Sequence, residues 1–205
     1  MIKLIHYTPM TILLEALIKP YKNENADLTL AEKVIKVLKH ESIAEHVNLS
    51  FDINEISRLC LQELVRHRIA SYTVESTRFT LKAFLEMKDD HHYITEERTK
   101  HLQNFMIIPD TIKPEDIEEF AGDLTSLFFE SFLFMNHWKN KGYGNDVLKY
   151  FLIESYKTSL VVTMNLRSFI NFLNLRTDEH AHFEIRKLAA NMKNLVKNTY
   201  IEKLI

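Results

Sequence analysis

HVNLSFDI (46–53) opens the stretch that decides the fold, and SRLCLQELVRHR (57–68) completes it. In the first part apolar and polar residues alternate, which is the period of a half-buried strand. In the second part apolar residues recur at helical spacing, which predicts a helix over about 54–68. Glu63 and His67 share the apolar stripe of that helix. Because polar groups on such a stripe need partners, this helix end is either a functional site or a buried network.

Outward from this stretch, the same criteria place the remaining elements. Further strands are expected near 3–8, 107–109 and 159–166, a strand or extended stretch near 76–84, and a solvated loop or short helix over 86–101. Further helices are expected over about 10–21, 29–40, 114–140 and 167–175, one after KGYGND to about 158, and a last one that Thr177 caps. Strands and helices do not alternate regularly, so the predicted class is α+β. We expect a small, mainly antiparallel sheet surrounded by helices, in one domain over 1–205.

Composition limits the partners of the chain. A formal net charge of −2 and a pI near 6.6 give no general field for nucleic acid or an anionic membrane, so anion recognition must be local. Cys60 is the single cysteine, which excludes an internal disulfide and fits a reducing compartment. No apolar run approaches the ~20 residues of a membrane span, and the first residues lack the apolar core of a signal peptide. The expected localisation is cytoplasmic, without a membrane or nucleic-acid partner.

The three glycines are informative because none of them lies in a phosphate-binding motif. Gly122, Gly142 and Gly144 fit neither GxGxxG nor GxxxxGK. A Rossmann turn and a P-loop are therefore excluded. Any phosphate must be held by side chains and helix N-termini.

RHRIASYTVESTR (66–78) crowds cationic groups that repel one another unless an anion lies among them. Two arginines flank a histidine, hydroxyls follow, and Arg78 ends the segment. Forked guanidinium donors together with hydroxyls suit phosphate oxygens. Phosphate or nucleotide binding and a plain solvated loop both remain open on these residues alone.

A second arginine segment is NLRSFINFLNLR (165–176). On a helix Arg167 and Asn171 share a face, whereas Arg176 lies nine residues from Arg167 and points the opposite way. Asparagines lie here among apolar residues, where amides without partners are costly. A ligand rich in carbonyls and ring nitrogens would satisfy them, and arginines that pair with helix carbonyls and surface acids are the alternative.

Arg66, His67 and Arg68, then seven residues, then Ser76, match the RHR(x)7S signature, and Ser71 and Arg78 match its fuller form. In this the chain resembles the flavin-dependent thymidylate synthases. The resemblance extends to KLIHYTP, to HESIAEHVNLSFDI and to NLRSFINFLNLRTDEHAHFEIR, which occur in the order of the family's successive blocks. It implies reductive methylation of dUMP to dTMP, with methylenetetrahydrofolate as carbon donor and FAD reduced by NADPH. It also implies a homotetramer with shared active sites.

The resemblance assigns roles by motif position. Residues expected to bind FAD are Arg66, His67, Arg68, Asn165, Arg167 and Asn171. Residues expected to bind dUMP are Arg66, Glu75, Ser76, Thr77, Arg78, Lys149 and Arg176. Arg176 is the expected catalytic group, at the uracil edge, and His46 is expected near folate and flavin. The chain departs from the family pattern at Glu63, where a glutamine is usual, and at Thr73, Val74, Lys149 and His182. The Glu63 carboxylate would repel a substrate phosphate unless it pairs with Arg66, three residues away on the helix.

Two other functions compete with this hypothesis. A metal-dependent hydrolase would use His40, Glu41, Glu45 and His46, or Asp178, His180 and His182, although neither set has a firm ligand spacing, and we expect no metal site. An RNA-binding module would combine the arginines of 66–78 with Tyr72 and Phe79 as stacking residues. A flavin spectrum, tightly bound metal or co-purifying nucleic acid would separate the three.

Overall fold

A computed structural model of the chain describes residues 1–86 and 96–205. These residues form two compact units. The first unit comprises Met1–Asn54, Glu63–Thr73 and Leu160–Ile205, and the second comprises Glu55–Gln62 and Val74–Ser159. The expectation of a single domain over 1–205 stays a prediction.

A four-stranded antiparallel sheet accompanied by helices makes the fold α+β, which confirms the predicted class. The strands are β1 (Ile2–Tyr7), β2 (Asn48–Ser57), β3 (Ala70–Val74) and β4 (Lys157–Asn165), in the order β1-β2-β4-β3. β1 pairs antiparallel with β2, for example Leu4 opposite Phe51. The alternation seen in the sequence decides which face is buried, since Leu49, Phe51 and Ile53 are fully buried.

The α-helices of the described residues vary from one turn to more than six turns. They are α1 (Met10–Tyr21), α2 (Leu28–Glu32), α3 (Arg58–Leu64), α4 (Thr77–Phe84), α5 (Glu96–Gln103), α6 (Ile117–Asn140), α7 (Asn145–Leu148), α8 (Leu166–Arg176) and α9 (Phe183–Leu195). A π-helical segment (Lys33–Val37) continues α2, and 3-10 segments cover Glu41–His46, Lys149–Phe151 and Tyr200–Leu204. No helix in the described ranges is long and apolar enough to cross a membrane.

In the first unit, α8 packs its apolar side against the sheet. Phe169 and Phe172 are fully buried, and the ring of Phe169 lies 5.5 Å from that of Phe51 on β2. Asn165 caps α8, because its side-chain oxygen accepts the N–H of Ser168 at 2.9 Å. The packing fixes one side of α8 in the core and leaves its polar residues on the other.

The second unit has an aromatic core of its own. Phe84 of α4 makes edge-to-face contacts with Phe105, Phe128, Phe132 and Tyr156. All of these rings except Phe105, which is partly buried and packs against the others, belong to a cluster of buried residues in which α6 supplies the largest share. The cluster holds α4 in place, and with it the residues that follow Ser76.

Most predicted elements are present, but several boundaries and two assignments are wrong. The strand or extended stretch expected over 76–84 is the helix α4, and the strand in this region is β3, within the RHR segment itself. The helix expected over 54–68 covers only Arg58–Leu64, because β2 continues through Ser57. Thr177 ends α8 and does not cap α9, whose N-cap position is taken by His182.

Two further expectations fail in the second unit. The stretch 107–109 forms no named strand, and beside it Met106 makes an isolated bridge to Tyr156. The helix expected to reach about 158 ends at Leu148, with a 3-10 turn to Phe151. Of the charged stretch 86–101, residues 96–101 belong to α5, and residues 87–95 lie outside the described ranges.

Candidate functional site

The first unit contains an open cavity of about 870 Å³ between the RHR turn, α8 and the 3-10 segment at Glu41–His46. All six residues expected to bind FAD line it, and so does Arg176. The lining residues are Glu41, Glu45, Arg66, His67, Arg68, Ile69, Met164, Asn165, Arg167, Ser168, Ile170, Asn171, Asn174, Leu175 and Arg176. Residues from two distant segments of the sequence therefore share one cavity.

Tyr72 holds the RHR turn in its conformation. Its hydroxyl donates to the carbonyl of His67 at 2.7 Å and lies 3.1 Å from the carbonyl of Leu64, the last residue of α3. The Leu64 carbonyl ends α3 and also accepts the N–H of His67 at 3.2 Å, and the His67 carbonyl lies in the turn that follows the helix. Burial raises the pKa of the Tyr72 phenol to about 12. The hydroxyl of Tyr72 is thus engaged in the turn, and the stacking role that the RNA-binding alternative gives to its ring stays a prediction.

Arg176 is the most firmly held of the cavity's arginines. Its Nε donates to Nε2 of His67 at 2.9 Å, one terminal nitrogen donates to the Glu63 carboxylate at 2.7 Å, and the other donates to the Glu63 carbonyl at 3.1 Å. The Arg176 side chain is only 17% exposed. Three N–H groups of the guanidinium are used in this way, and the rest remain for a ligand.

The neutral form of His67 follows from these contacts. Because Nε2 accepts the Arg176 hydrogen bond, the ring proton is on Nδ1. The pKa of His67 is lowered, mainly by burial of the ring. The positive charge of Arg176 lowers this pKa further, whereas the negative charge of Glu63 raises it. The ring also packs edge-on against Phe172 at 4.9 Å.

Two interpretations of the arginine segments need correction. Glu63 pairs with Arg176 and not with Arg66, the partner considered from helical spacing. Arg167 and Arg176 were expected to point in opposite directions, yet both line the same cavity. Arg176 ends α8, and its long side chain turns toward the RHR segment to reach Glu63 and His67.

Arg167 is neutralised within the chain. It donates to the Glu41 carboxylate at 3.1 Å and to the Glu45 carboxylate at 2.6 Å. The hydrogen bond to Glu45 is the main cause that raises the pKa of Arg167. These contacts also commit two carboxylates that the hydrolase hypothesis would use for a metal ion.

In contrast, Arg66 and Arg68 are exposed, and neither makes an ion pair or side-chain hydrogen bond within the described part of the chain. Asn171 and Asn174 line the cavity beside them. The cavity therefore offers two guanidinium groups and several amides whose hydrogen-bonding capacity is open to a ligand.

The remaining residues expected to bind dUMP belong to the second unit. Ser76 occupies the N-cap position of α4 without a capping hydrogen bond from its side chain, and Thr77 is the first residue of that helix. Arg78 and Lys149 come together on one carboxylate, Asp146, at 3.7 and 3.2 Å. The Glu75 N–H donates to the Ser159 carbonyl at 2.8 Å, so this part of the backbone is tied to β4.

Two histidines were singled out by the sequence. His46 is the last residue of the 3-10 segment, and it is exposed. It does not line the cavity, although its neighbour Glu45 does. His182 lies at the N-cap position of α9 with its ring 4.3 Å from that of Phe183. Within residues 1–86 and 96–205, no group of three or more histidine, cysteine or acidic side chains could hold a metal ion.

Comparison with known proteins agrees with this architecture. The family model described as thymidylate synthase complementing protein matches residues 3–200. A flavin-dependent thymidylate synthase of Wolinella succinogenes is 39% identical over 166 residues, which cover 81% of this chain and 74% of that protein. One of Helicobacter pylori is 34% identical over 193 residues, covering 90% and 87% of the two chains.

A solved structure is also similar. The crystal structure of the flavin-dependent thymidylate synthase ThyX from Helicobacter pylori, complexed with FAD and dUMP, superposes with a TM-score of 0.83 at 29% identity. The similarity covers 99% of this chain and 97% of that chain. The family predicted from the RHR(x)7S signature is thereby confirmed. This chain belongs to the thymidylate synthase complementing protein family, the flavin-dependent thymidylate synthases.

Proposed function

We propose that the chain converts dUMP to dTMP by reductive methylation, with FAD as cofactor, NADPH as reductant and methylenetetrahydrofolate as carbon donor. The observation that carries the proposal is the cavity of the first unit, where every residue expected to bind FAD is found together with Arg176. The names of the relatives, and the complex of the Helicobacter pylori enzyme with FAD and dUMP, support the same function.

The chemistry of the cavity fits a flavin dinucleotide. Four arginines line it against two glutamates, so the cavity carries a positive surplus on a chain of net charge −2. Guanidinium forks suit a pyrophosphate, and asparagine amides suit the carbonyl and ring nitrogen atoms of a flavin. Its volume of about 870 Å³ is in the range of about 300–1,000 Å³ found for small-molecule sites.

Each residue of the cavity has a distinct part in the proposal. Arg66 and Arg68, which are exposed, would bind the phosphates, while His67 would present its Nδ1–H as a neutral donor. Asn165 would use its amide N–H groups, because its oxygen already caps α8. Asn171 would add a second amide, and Arg167 would contribute donors that Glu41 and Glu45 leave unused. When bound and reduced, the flavin supplies hydride.

Arg176 would act on the pyrimidine. Its guanidinium is fixed by His67 and Glu63, so its remaining N–H groups have a defined direction. A fixed donor of this kind stabilises negative charge as it develops on a ring oxygen or nitrogen, by about 3 kcal/mol by analogy with oxyanion donors. The gain depends on orientation before the reaction starts, and the contacts to His67 and Glu63 provide it.

The proposal assigns the nucleotide phosphate to Ser76, Arg78 and Lys149, with the backbone around Glu75 and Thr77. In support of this assignment, Arg78 and Lys149 both lie within ion-pair distance of one carboxylate, that of Asp146. The resemblance implies a homotetramer with shared active sites. In such an assembly these residues need not serve the same active site as the cavity of their own chain.

One anaerobic experiment tests the function. The purified protein is loaded with FAD and incubated with NADPH, dUMP and methylenetetrahydrofolate, while flavin bleaching and dTMP formation are followed. We expect bleaching by NADPH and dTMP only in the complete mixture. Failure to take up FAD, even with excess dUMP, would overturn the proposal, and so would flavin turnover without dTMP.

A further inference from the structure

Glu63 contacts Arg176 in a way that differs from the other ion pairs of the cavity. It accepts from one terminal nitrogen of Arg176 through its carboxylate, at 2.7 Å, and from the other through its own main-chain carbonyl, at 3.1 Å. One residue therefore holds both terminal nitrogens of the guanidinium. The side chains are 17% exposed for Arg176 and 35% for Glu63, whereas the Arg167 side chain is 52% exposed.

From this geometry we propose that Glu63 is a positioning residue for Arg176, and that it acts through hydrogen-bond geometry more than through charge. The inference rests on the proposed function, in which Arg176 meets the pyrimidine. Two acceptors on one residue, plus Nε2 of His67, define the plane of the guanidinium. Without the carboxylate one terminal nitrogen loses its acceptor, and the plane is free to tilt.

A purely structural ion pair is the competing explanation. Taking two charges out of water is costly, and the attraction between them repays that cost only when the geometry is good. If Glu63 served only stability, any partner of the right charge would do. If Glu63 served to orient Arg176, then the length of its side chain and the geometry of its acceptor atom would matter, and its charge would not.

Three variants separate these explanations. Glu63→Gln keeps an acceptor oxygen on a side chain of the same length and removes the charge. Glu63→Asp keeps the charge on a shorter side chain. Glu63→Ala removes both the charge and the acceptor. For Ala and Asp we expect kcat for dTMP formation to fall about tenfold or more, the effect of one lost charge-assisted hydrogen bond. For Gln we expect kcat within about threefold of wild type. Gln62→Ala is the matched control, because the Gln62 amide donates to Glu154 at 2.7 Å and makes no contact with Arg176 in the part of the chain that the structure describes.

Several outcomes would overturn the proposal. It fails if Ala keeps the wild-type kcat, or if Asp restores activity and Gln does not. If Ala does not fold, the comparison of Gln with Asp decides the question without it. A change confined to the KM for dUMP, with kcat unchanged in all three variants, would also contradict positioning.

The proposal can be tested apart from the proposed function. If the wild-type protein makes no dTMP, the proposed function is refuted. The interaction between Glu63 and Arg176 can then still be measured, by a double-mutant cycle of the free energy of unfolding. Glu63→Ala and Arg176→Ala are combined, and the double variant is expected to lose less stability than the two single losses together. Additive losses would show that the two side chains do not interact, and the positioning role would be withdrawn.

Discussion

Replacing Tyr72 by phenylalanine removes one oxygen atom, and the ring stays in place. The hydroxyl donates to the carbonyl of His67 at 2.7 Å, so this carbonyl loses its donor, whereas the Leu64 carbonyl still accepts the N–H of His67 at 3.2 Å. A typical hydrogen bond contributes about 0.5–1.5 kcal/mol net. We therefore expect Tyr72→Phe to lower the free energy of unfolding by about 0.5–1.5 kcal/mol, with a fall in Tm of about 2–4 °C for each kcal/mol.

The same substitution should weaken FAD binding. Tyr72 fixes the turn that carries Arg66, His67 and Arg68, and a looser turn must be ordered when the ligand binds. We expect the Kd for FAD to rise about fivefold or more, while residues of the second unit are unaffected. Urea unfolding followed by fluorescence and a flavin titration measure the two effects. Tyr150→Phe is the control, because Tyr150 is 85% exposed.

The pH dependence gives an independent check. In the unfolded chain the phenol ionises near its ordinary pKa of 10, whereas the folded protein keeps it protonated to about 12. The stabilising contribution of Tyr72 is therefore complete below pH 10 and declines as the pH rises from 10 toward 12. The advantage of wild type over Tyr72→Phe should shrink over this range. Equal stability of the two proteins at pH 8, or equal affinity for FAD, would refute the role assigned to Tyr72.

Three further substitutions test other parts of the molecule. Arg176→Ala should abolish dTMP formation and leave the flavin bound, which an activity assay and a visible spectrum measure together, and normal turnover would remove Arg176 from the mechanism. Asp146→Asn should lower the KM for dUMP a few-fold, because it frees Arg78 and Lys149 for the phosphate, and an unchanged or higher KM would contradict that assignment. Phe169→Ala should destabilise the chain by about 3–5 kcal/mol in urea unfolding, since the ring is fully buried, and a loss below 1 kcal/mol would show that it is not part of the core.

Strand and helix periods in the sequence predict the fold well where a segment has one buried face. β2 and β4 alternate because one face of the sheet is covered, and α8 keeps helical spacing because it packs on that sheet. The prediction fails for α4, whose threonines and phenylalanines favour a strand. In α4, Leu81 and Phe84 are three residues apart and both fully buried. Packing in the second unit therefore stabilises a helix against the local preference for a strand.

Residue types at the cavity were also predictable, whereas their partners were not. The RHR turn and the segment 165–176 contain seven of the residues assigned to FAD or dUMP, and all seven line it. Their pairing depends on contacts between residues more than a hundred positions apart, such as Glu63 with Arg176 and Glu41 with Arg167. Helical spacing only suggested partners within one turn, and so offered Arg66 for Glu63. The role of Tyr72 in the turn was missed for the same reason, since no sequence pattern marks a hydroxyl that donates to a main-chain carbonyl.

In the proposed function, the pairing of the arginines also explains how one cavity could both bind phosphate and act on a pyrimidine. Arg167 and Arg176 each have carboxylate partners within the chain, so their charge is compensated before a ligand arrives. Arg66 and Arg68 have none among the residues that the structure describes, and their charge is available to an anion. Binding phosphate needs uncompensated charge, whereas acting on a pyrimidine needs a guanidinium of fixed direction. The acids of the cavity therefore separate arginines that attract a ligand from arginines that orient it.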